Sequence, residues 1–471
     1  MTWPGLFVYA AHLVALPAAL FRPRLVILAI VATAAFRAEK LGPNIISTNQ
    51  LEGLALAAAI YALWRTAGPL RLRRLDYAVF GLYGLILLVR VLQTISFDVG
   101  AYRLAQFAYQ DAFRPMVYFL AAHVYLRAGG RPDRLAYAAG VSVAVMIVAV
   151  LLEWQFFWSW RAFFGAEFAR AGINDWEFVS RFGYRLINGP FGHWVGTGTF
   201  LALYLSFALA AMTSEPRRLT LWRAALAAAG LAAVMLIGGR AAMLGAVLAG
   251  AAALALFVLS PSRPLASSPS WTPFALGGLG LIASGRVRAF AKQGYDYVYL
   301  SLFPGAGEAQ NLIARTDFGA ILWANVGNVP LIGYGWQVVR EPEMLRMPIS
   351  HLDFEVNFVW VYAYDLGLPL TLVWVSVLVA AAATAAWHWV SWPASERWTA
   401  AVVLISSAAL LPILASNGYF AALFAQPWLL GVALMTQNAS RRAAQRRQGR
   451  RPLRRRRRAM PPQGAPAPTR T

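Results

Sequence analysis

Residues 311–367 read NLIARTDFGAILWANVGNVPLIGYGWQVVREPEMLRMPISHLDFEVNFVWVYAYDLG. In a chain that is otherwise almost unbroken hydrocarbon, this stretch gathers Arg315, Asp317, Arg340, Glu341, Glu343, Arg346, His351, Asp353, Glu355 and Asn357. It contains a glycine-rich turn, Gly333-Tyr334-Gly335, and stops where a new apolar run begins. Charge concentrated between apolar runs reads as a loop outside a membrane, and such loops carry function. Its flanks decide the fold.

Outward from that stretch, 59% of residues are hydrophobic and the mean hydropathy is +0.53, above the share of ordinary soluble domains. The apolar runs lack the polar face that a soluble helix shows at its 3.6-residue period. Spans are expected at 5–21, 24–36, 51–66, 75–95, 113–126, 136–157, 195–213, 219–237, 241–259, 272–284, 365–388, 399–415 and 419–435. The expected fold is an all-α polytopic membrane protein of about 12 to 13 transmembrane helices, each able to cross a core of about 30 Å. The shorter runs, 24–36 and 272–284, also fit half-helices. The first run lacks a basic leader and stays as a membrane helix rather than a cleaved signal.

Arginine-rich short loops set the orientation. Arg71 to Arg74, Arg127 to Arg134, Arg217-Arg218, the loop at Arg397 and the C-terminal tail fall on one side, which is therefore cytoplasmic. Residues 1–440 form a single transmembrane domain, with 96–112, 158–190 and 285–364 as extracytoplasmic loops. The net charge of +22 owes about half its excess to residues 441–471, which contain no acid. Composition makes that tail a disordered polybasic segment resting on anionic lipid headgroups rather than a nucleic-acid binder.

The chain has no cysteine, which excludes disulfides, thiolate zinc sites and a cysteine nucleophile. It shows no P-loop, dinucleotide fingerprint or HExxH, so it is no self-sufficient ATP-driven pump. No histidine or carboxylate cluster has metal-ligand spacing. Of the five histidines, His12, His123 and His388 lie in or at the ends of spans and read as packed side chains. His193 and His351 lie on the expected outer face. His351, beside Asp353 and Glu355, has the company of a general base. Arg240, at the tip of Gly238-Gly239-Arg240, and Arg286, Arg288 and Lys292 place cations outside against the insertion bias. With Arg315 they suit an anionic ligand, because guanidinium groups pair bidentately with phosphate oxygens.

Four blocks resemble the O-antigen ligase / O-antigen polymerase superfamily of bacterial polysaccharide assembly. Arg185 to Gly198 (RLINGPFGHWVGTG) looks like the block before that family's central helices. Leu236 to Leu248 (LIGGRAAMLGAVL) resembles its Arg-x-x-x-Leu hairpin, here Arg240 and Leu244. Arg315 to Gly335 is similar to its arginine, amphipathic helix and Pro-Leu-x-Gly-x-Gly pattern. Asn357 to Gly367 matches the Asn, acidic residue and Leu-Gly that open the next membrane helix.

The resemblance implies a GT-C-like glycosyltransferase of a bacterial inner membrane, with its site in a large helical extracytoplasmic loop and its C-terminus cytoplasmic. It implies transfer of a glycan from undecaprenyl diphosphate to an acceptor glycan hydroxyl, without metal, nucleotide or other cofactor. His351, with Asp353 or Glu355, takes the base role, and Arg240 and Arg315 hold the diphosphate. Arg286, Arg288, His193, Arg185, Tyr334 and Asn357 complete the substrate contacts, Tyr334 by stacking on sugar. Membrane lipids, a chain-length regulator and a flippase are the further partners implied. Family ligases carry histidine directly before the Asn, where this chain has Val356. That departure favours a polymerase over a ligase that joins polymer to lipid A core or protein. A lipid-linked glycan transporter is the rival of another class, sustained by Arg90 and Glu153 inside spans.

Overall fold

The computed structural model describes residues 3–34, 48–67, 70, 72–97, 108–157, 159, 180–181, 184–185, 187, 189, 194–214, 221–237, 239–259, 324, 326–335, 358–416 and 426–459. These residues form α1 (Trp3–Phe21), α2 (Pro23–Ala32), α3 (Thr48–Ala67), α4 (Arg74–Phe97), α5 (Arg114–Arg127), α6 (Pro132–Gln155) and α7 (Trp194–Ser214). There follow α8 (Leu221–Ile237), α9 (Arg240–Val258), α10 (Phe358–Leu366), α11 (Leu368–Ser391), α12 (Ala394–Ser416) and α13 (Gln426–Ala459). A π-helical turn, Tyr109–Phe113, leads into α5. The only strands among the described residues are β1 (Ser180–Arg181) and β2 (Tyr184–Arg185), an antiparallel pair.

Apart from that short pair, the described residues are therefore all-α. Among them six helices are long and apolar enough to cross a membrane: 74–96, 132–155, 196–213, 241–258, 368–391 and 395–414. Three shorter apolar helices cover 9–21, 23–32 and 225–237. Twelve of the thirteen expected spans fall on a described helix, and the other, 272–284, lies outside the described residues.

Three boundaries depart from expectation. The span expected from 365 starts at Leu368, because Gly367 (φ 87°) breaks the chain between α10 and α11 and Pro369 stands in the first turn of α11. The expected loop 96–112 is entered from its far end by the π turn. The tail expected to be disordered from Arg441 is instead helical to Ala459, as the end of a 34-residue α13. Its Arg, Ala and Gln residues favour helix, and they extend a helix already nucleated, so only propagation is needed.

α7 sits at the centre, apolar all round and almost entirely buried against α6, α8, α9 and α12. Small residues set the spacing. A Cβ on Gly198 would lie 2.7 Å from the Ala242 Cβ, and one on Gly245 would lie 2.8 Å from the Ala409 carbonyl oxygen. Close backbone approach of this kind is how membrane helices gain packing energy. Gly245→Val is expected to cost about 1–3 kcal/mol by overpacking, read as a lower thermal midpoint of the detergent-solubilised protein. An unchanged midpoint would mean that α9 and α12 part freely.

Polar groups cluster at the two ends of the bundle. At the end bearing the basic C-terminal segment, His123 is wholly buried between Asp76 and Gln437. Its Nδ1 is 2.7 Å from Gln437 Nε2 and its Nε2 is 3.2 Å from Asp76 Oδ1. Arg73 donates to Ser440 Oγ (3.1 Å), Arg441 to the Leu126 carbonyl (3.1 Å), and Arg442 pairs with Glu396 (3.3 Å). These contacts seat α13 on α4, α5 and α12. The opposite end, called here the loop-bearing end, holds the candidate site.

Candidate functional site

The described part of the quoted stretch folds back on its own C-terminus. Val326–Asn328 make a single 3-10 turn, and the Gly333 N–H donates to the Pro330 carbonyl at 2.8 Å. The Tyr334 N–H then donates to the Tyr364 carbonyl (2.7 Å) and the Gly335 N–H to the Asp365 carbonyl (3.1 Å). Backbone lies directly on backbone, which explains two glycines. Gly333 (φ 69°) would place a Cβ 2.5 Å from the Asp365 carbonyl, and a Cβ on Gly367 would overlap the Leu331 carbonyl oxygen. Both also occupy the left-handed region that side chains resist.

A charged clamp locks this junction to α4. Arg90 Nη1 donates to Asp365 Oδ1 at 2.7 Å and Nη2 to Oδ2 at 2.5 Å, the two-pronged geometry that suits guanidinium and carboxylate. Both side chains are 3% exposed. One turn further along α4, Gln93 accepts from Arg90 Nη1 (3.0 Å) and donates to the carbonyls of Ile332 (2.6 Å) and Asp365 (2.5 Å). A single helix face thus grips the loop and the start of the next helix together. Arg90 is seven residues from the end of α4, about 10 Å at 1.5 Å per residue. The clamp therefore lies about a third of the way along α4 from its loop-bearing end.

Tyr334 is half-buried, its ring stacked on Tyr364 at 6.4 Å between centroids, and its hydroxyl donates to the Asn328 carbonyl (2.8 Å). Burial, with the neighbouring Tyr334 phenol second, pushes the Tyr364 phenol up to about 12. Tyr364 therefore backs the Tyr334 ring as an uncharged phenol at neutral pH.

Two other buried polar groups lie in the same region. Glu52 of α3 accepts from Arg114 Nη2 (3.1 Å) and from the Tyr118 hydroxyl, just beyond the π turn. Glu153 of α6 accepts from the Gly189 N–H at 2.6 Å. Gly189 abuts Thr197, and the next residue, Gly198, packs on Ala242, two residues after Arg240.

Of the residues singled out from sequence, Tyr334 is placed in full. Arg240 opens α9 and Arg185 lies in β2, paired with Ser180, with no side-chain description for either. His351, Asp353, Glu355, Arg315, Arg286, Arg288, His193 and Asn357 lie outside the described residues. Among the described residues, no group of three or more His, Asp or Glu is placed to hold a metal ion. Sequence reasoning missed the pairing of Arg90 with Asp365 and the part played by Gln93. Arg90 stood out as a charge in an apolar run, but its partner is 275 residues away. His123, read as packed without a partner, has two.

No family model matches the chain, and no curated protein matches it.

Proposed function

We propose that the chain is a membrane glycosyltransferase that moves a glycan from undecaprenyl diphosphate to a hydroxyl of an acceptor glycan, as a bacterial polysaccharide polymerase with a GT-C-like fold. One observation carries most of the weight. The segment 336–357, which holds His351, Asp353, Glu355 and Asn357, is flanked on both sides by attachments to one short helix, α10. Gly335 is bonded to Asp365 at its start, and α10 begins at Phe358 at its finish. A rigid base at the membrane end of a charged loop is what a site for a lipid-anchored, water-soluble-headed donor needs.

In this reading the acceptor hydroxyl oxygen attacks the anomeric carbon as the bond from that carbon to the diphosphate oxygen breaks. His351, with Asp353 or Glu355, takes the hydroxyl proton, and the electron pair leaves with undecaprenyl diphosphate. Arg240 and Arg315 meet the developing charge, a task worth about 3 kcal/mol per oriented donor. Arg286, Arg288, Arg185, His193 and Asn357 contact the donor, and Tyr334, backed by the buried Tyr364, stacks on sugar. The face bearing this loop is extracytoplasmic, in an inner membrane, with the basic end of α13 in the cytoplasm.

Arg90 and Glu153, the in-helix charges that favour a transporter, are both engaged in holding other segments of the chain, to Asp365 and to the Gly189 turn, which supports the transferase. Purified protein in nanodiscs, given an undecaprenyl-diphosphate-linked repeat unit without nucleotide or metal, should yield a ladder of lengthened glycan on a gel. Arg240→Ala and Arg315→Ala should each lower its rate by about 100-fold or more. A single capped lipid or protein product would make it a ligase. Substrate that crosses the bilayer unlengthened would sink the transferase.

A further inference from the structure

Glu153 has no role in the chemistry above, yet it is wholly buried in α6 with Ala149 and Val150 in the preceding turn. A carboxylate inside an apolar helix bundle is costly, so its hydrogen bonds repay inspection. Its Oε2 accepts the Gly189 N–H at 2.6 Å. Gly189 stands at φ 62°, with Thr197 so close on its other side that a Cβ would lie 2.6 Å from Thr197 Cγ2 and 2.7 Å from Oγ1. Thr197 is itself wholly buried in the first turn of α7. Gly198 then meets Ala242 in the first turn of α9, which Arg240 opens. Contacts thus run unbroken from the carboxylate through the Gly189 turn and the start of α7 to the start of α9.

We infer that Glu153 is a positioning residue for the proposed transfer: its carboxylate oxygen fixes the Gly189 turn, and through Thr197 and Gly198 it registers the helix start that Arg240 opens. This inference rests on the transferase reading for its consequence in turnover, but not for the turn itself. The Gly189 N–H requires an acceptor oxygen at this place. A carboxamide supplies that acceptor; a hydrocarbon of similar size does not.

The test uses the full chain in nanodiscs as wild type, Glu153→Gln, Glu153→Leu, Arg240→Ala and Glu153→Leu/Arg240→Ala. Glu153→Leu should lower kcat/KM for the diphosphate-linked donor by about 100-fold, the effect of a misplacement near 1 Å. Glu153→Gln should stay within about threefold of wild type, because a neutral acceptor replaces a neutral or charged one. The double variant should be no worse than Arg240→Ala, since both changes act through one group. Hydrogen exchange at the Gly189 amide should quicken by at least about tenfold in Glu153→Leu and not in Glu153→Gln.

Full activity in Glu153→Leu, equal damage in Glu153→Gln, or losses that multiply in the double variant would each overturn the inference. If the wild type elongates nothing, the transferase reading fails alone, and the exchange data still decide whether Glu153 holds the turn. Should Glu153→Leu not fold, Gly189→Ala attacks the same turn from the Thr197 side. It should lose turnover to the same degree, and full turnover in it would overturn the inference.

Discussion

Asp365→Leu strands the Arg90 guanidinium in an apolar interior and is expected to destabilise the protein by about 3–5 kcal/mol, the usual cost of leaving one member of a buried pair uncompensated. Arg90→Leu should cost about as much from the other side. Replacing both removes the stranded charge, so Arg90→Leu/Asp365→Leu should recover most of the lost stability, because a hydrocarbon pair of similar volume is often no worse than a buried ion pair. The comparison is made by thermal unfolding in one detergent for all four proteins. Recovery of stability should not bring recovery of turnover. Gln93 would still reach the main-chain carbonyls of Ile332 and residue 365, but the two-pronged side-chain tie to α4 would be gone, and the loop base would lose its register. Single variants as stable as wild type would mean that the clamp is solvated and does not lock the junction.

The second large effect falls on backbone. Gly367→Ala forces a side chain into the left-handed region and into the Leu331 carbonyl oxygen. Strain of this type alone is worth about 1–3 kcal/mol, and the overlap adds to it. The element that yields is the Pro330–Gly335 turn rather than the helix pair, because hydrogen bonds to Tyr364, Asp365 and Gln93 are what attach it. Turnover is therefore expected to fall by about 100-fold or more, with the helical circular dichroism of the bundle unchanged. Gly333→Ala meets the Asp365 carbonyl and should do the same. Gly327→Ala, at a glycine with nothing within 4 Å of its would-be Cβ, is the control and should leave turnover intact. Equal activity in all three would remove the turn from the working site.

The helices were legible because the signal for them is local. Apolar runs long enough to cross a bilayer announce themselves whatever they pack against. The runs at 75–95, 136–157, 195–213 and 241–259 match α4, α6, α7 and α9 within a few residues. The start of α11 departs from the expected 365 because the chain is already helical through Leu366, and the break at Gly367 goes with a contact to Leu331 that no window of sequence contains. The basic tail was misjudged for a different reason. Composition reports how much apolar surface a segment can bury, and it does not register that α13 has already nucleated upstream.

The site was legible only as an inventory. Tyr334 and its flanking glycines stood out as a turn, and Asp365 as the acid in the block that opens a helix. That Arg90 grips both was not readable, since the three come together only through tertiary packing. The same holds for Glu153 and Gly189. Charges inside apolar runs can be spotted in a sequence. Their partners must be found in space.

The most direct test of the proposed site maps where the donor binds. The probe is an undecaprenyl-diphosphate glycan with a photoreactive diazirine on the sugar next to the diphosphate, irradiated with the full chain in nanodiscs and followed by peptide mass spectrometry. Adducts are expected on the segment from Val326 to Gly367 and on the peptides that contain Gly189 and Arg240, and Arg240→Ala should diminish them. Adducts confined to the end where Arg73, Arg441 and Arg442 seat α13, or spread evenly over both ends of the bundle, would contradict a transferase site at the Arg90–Asp365 junction.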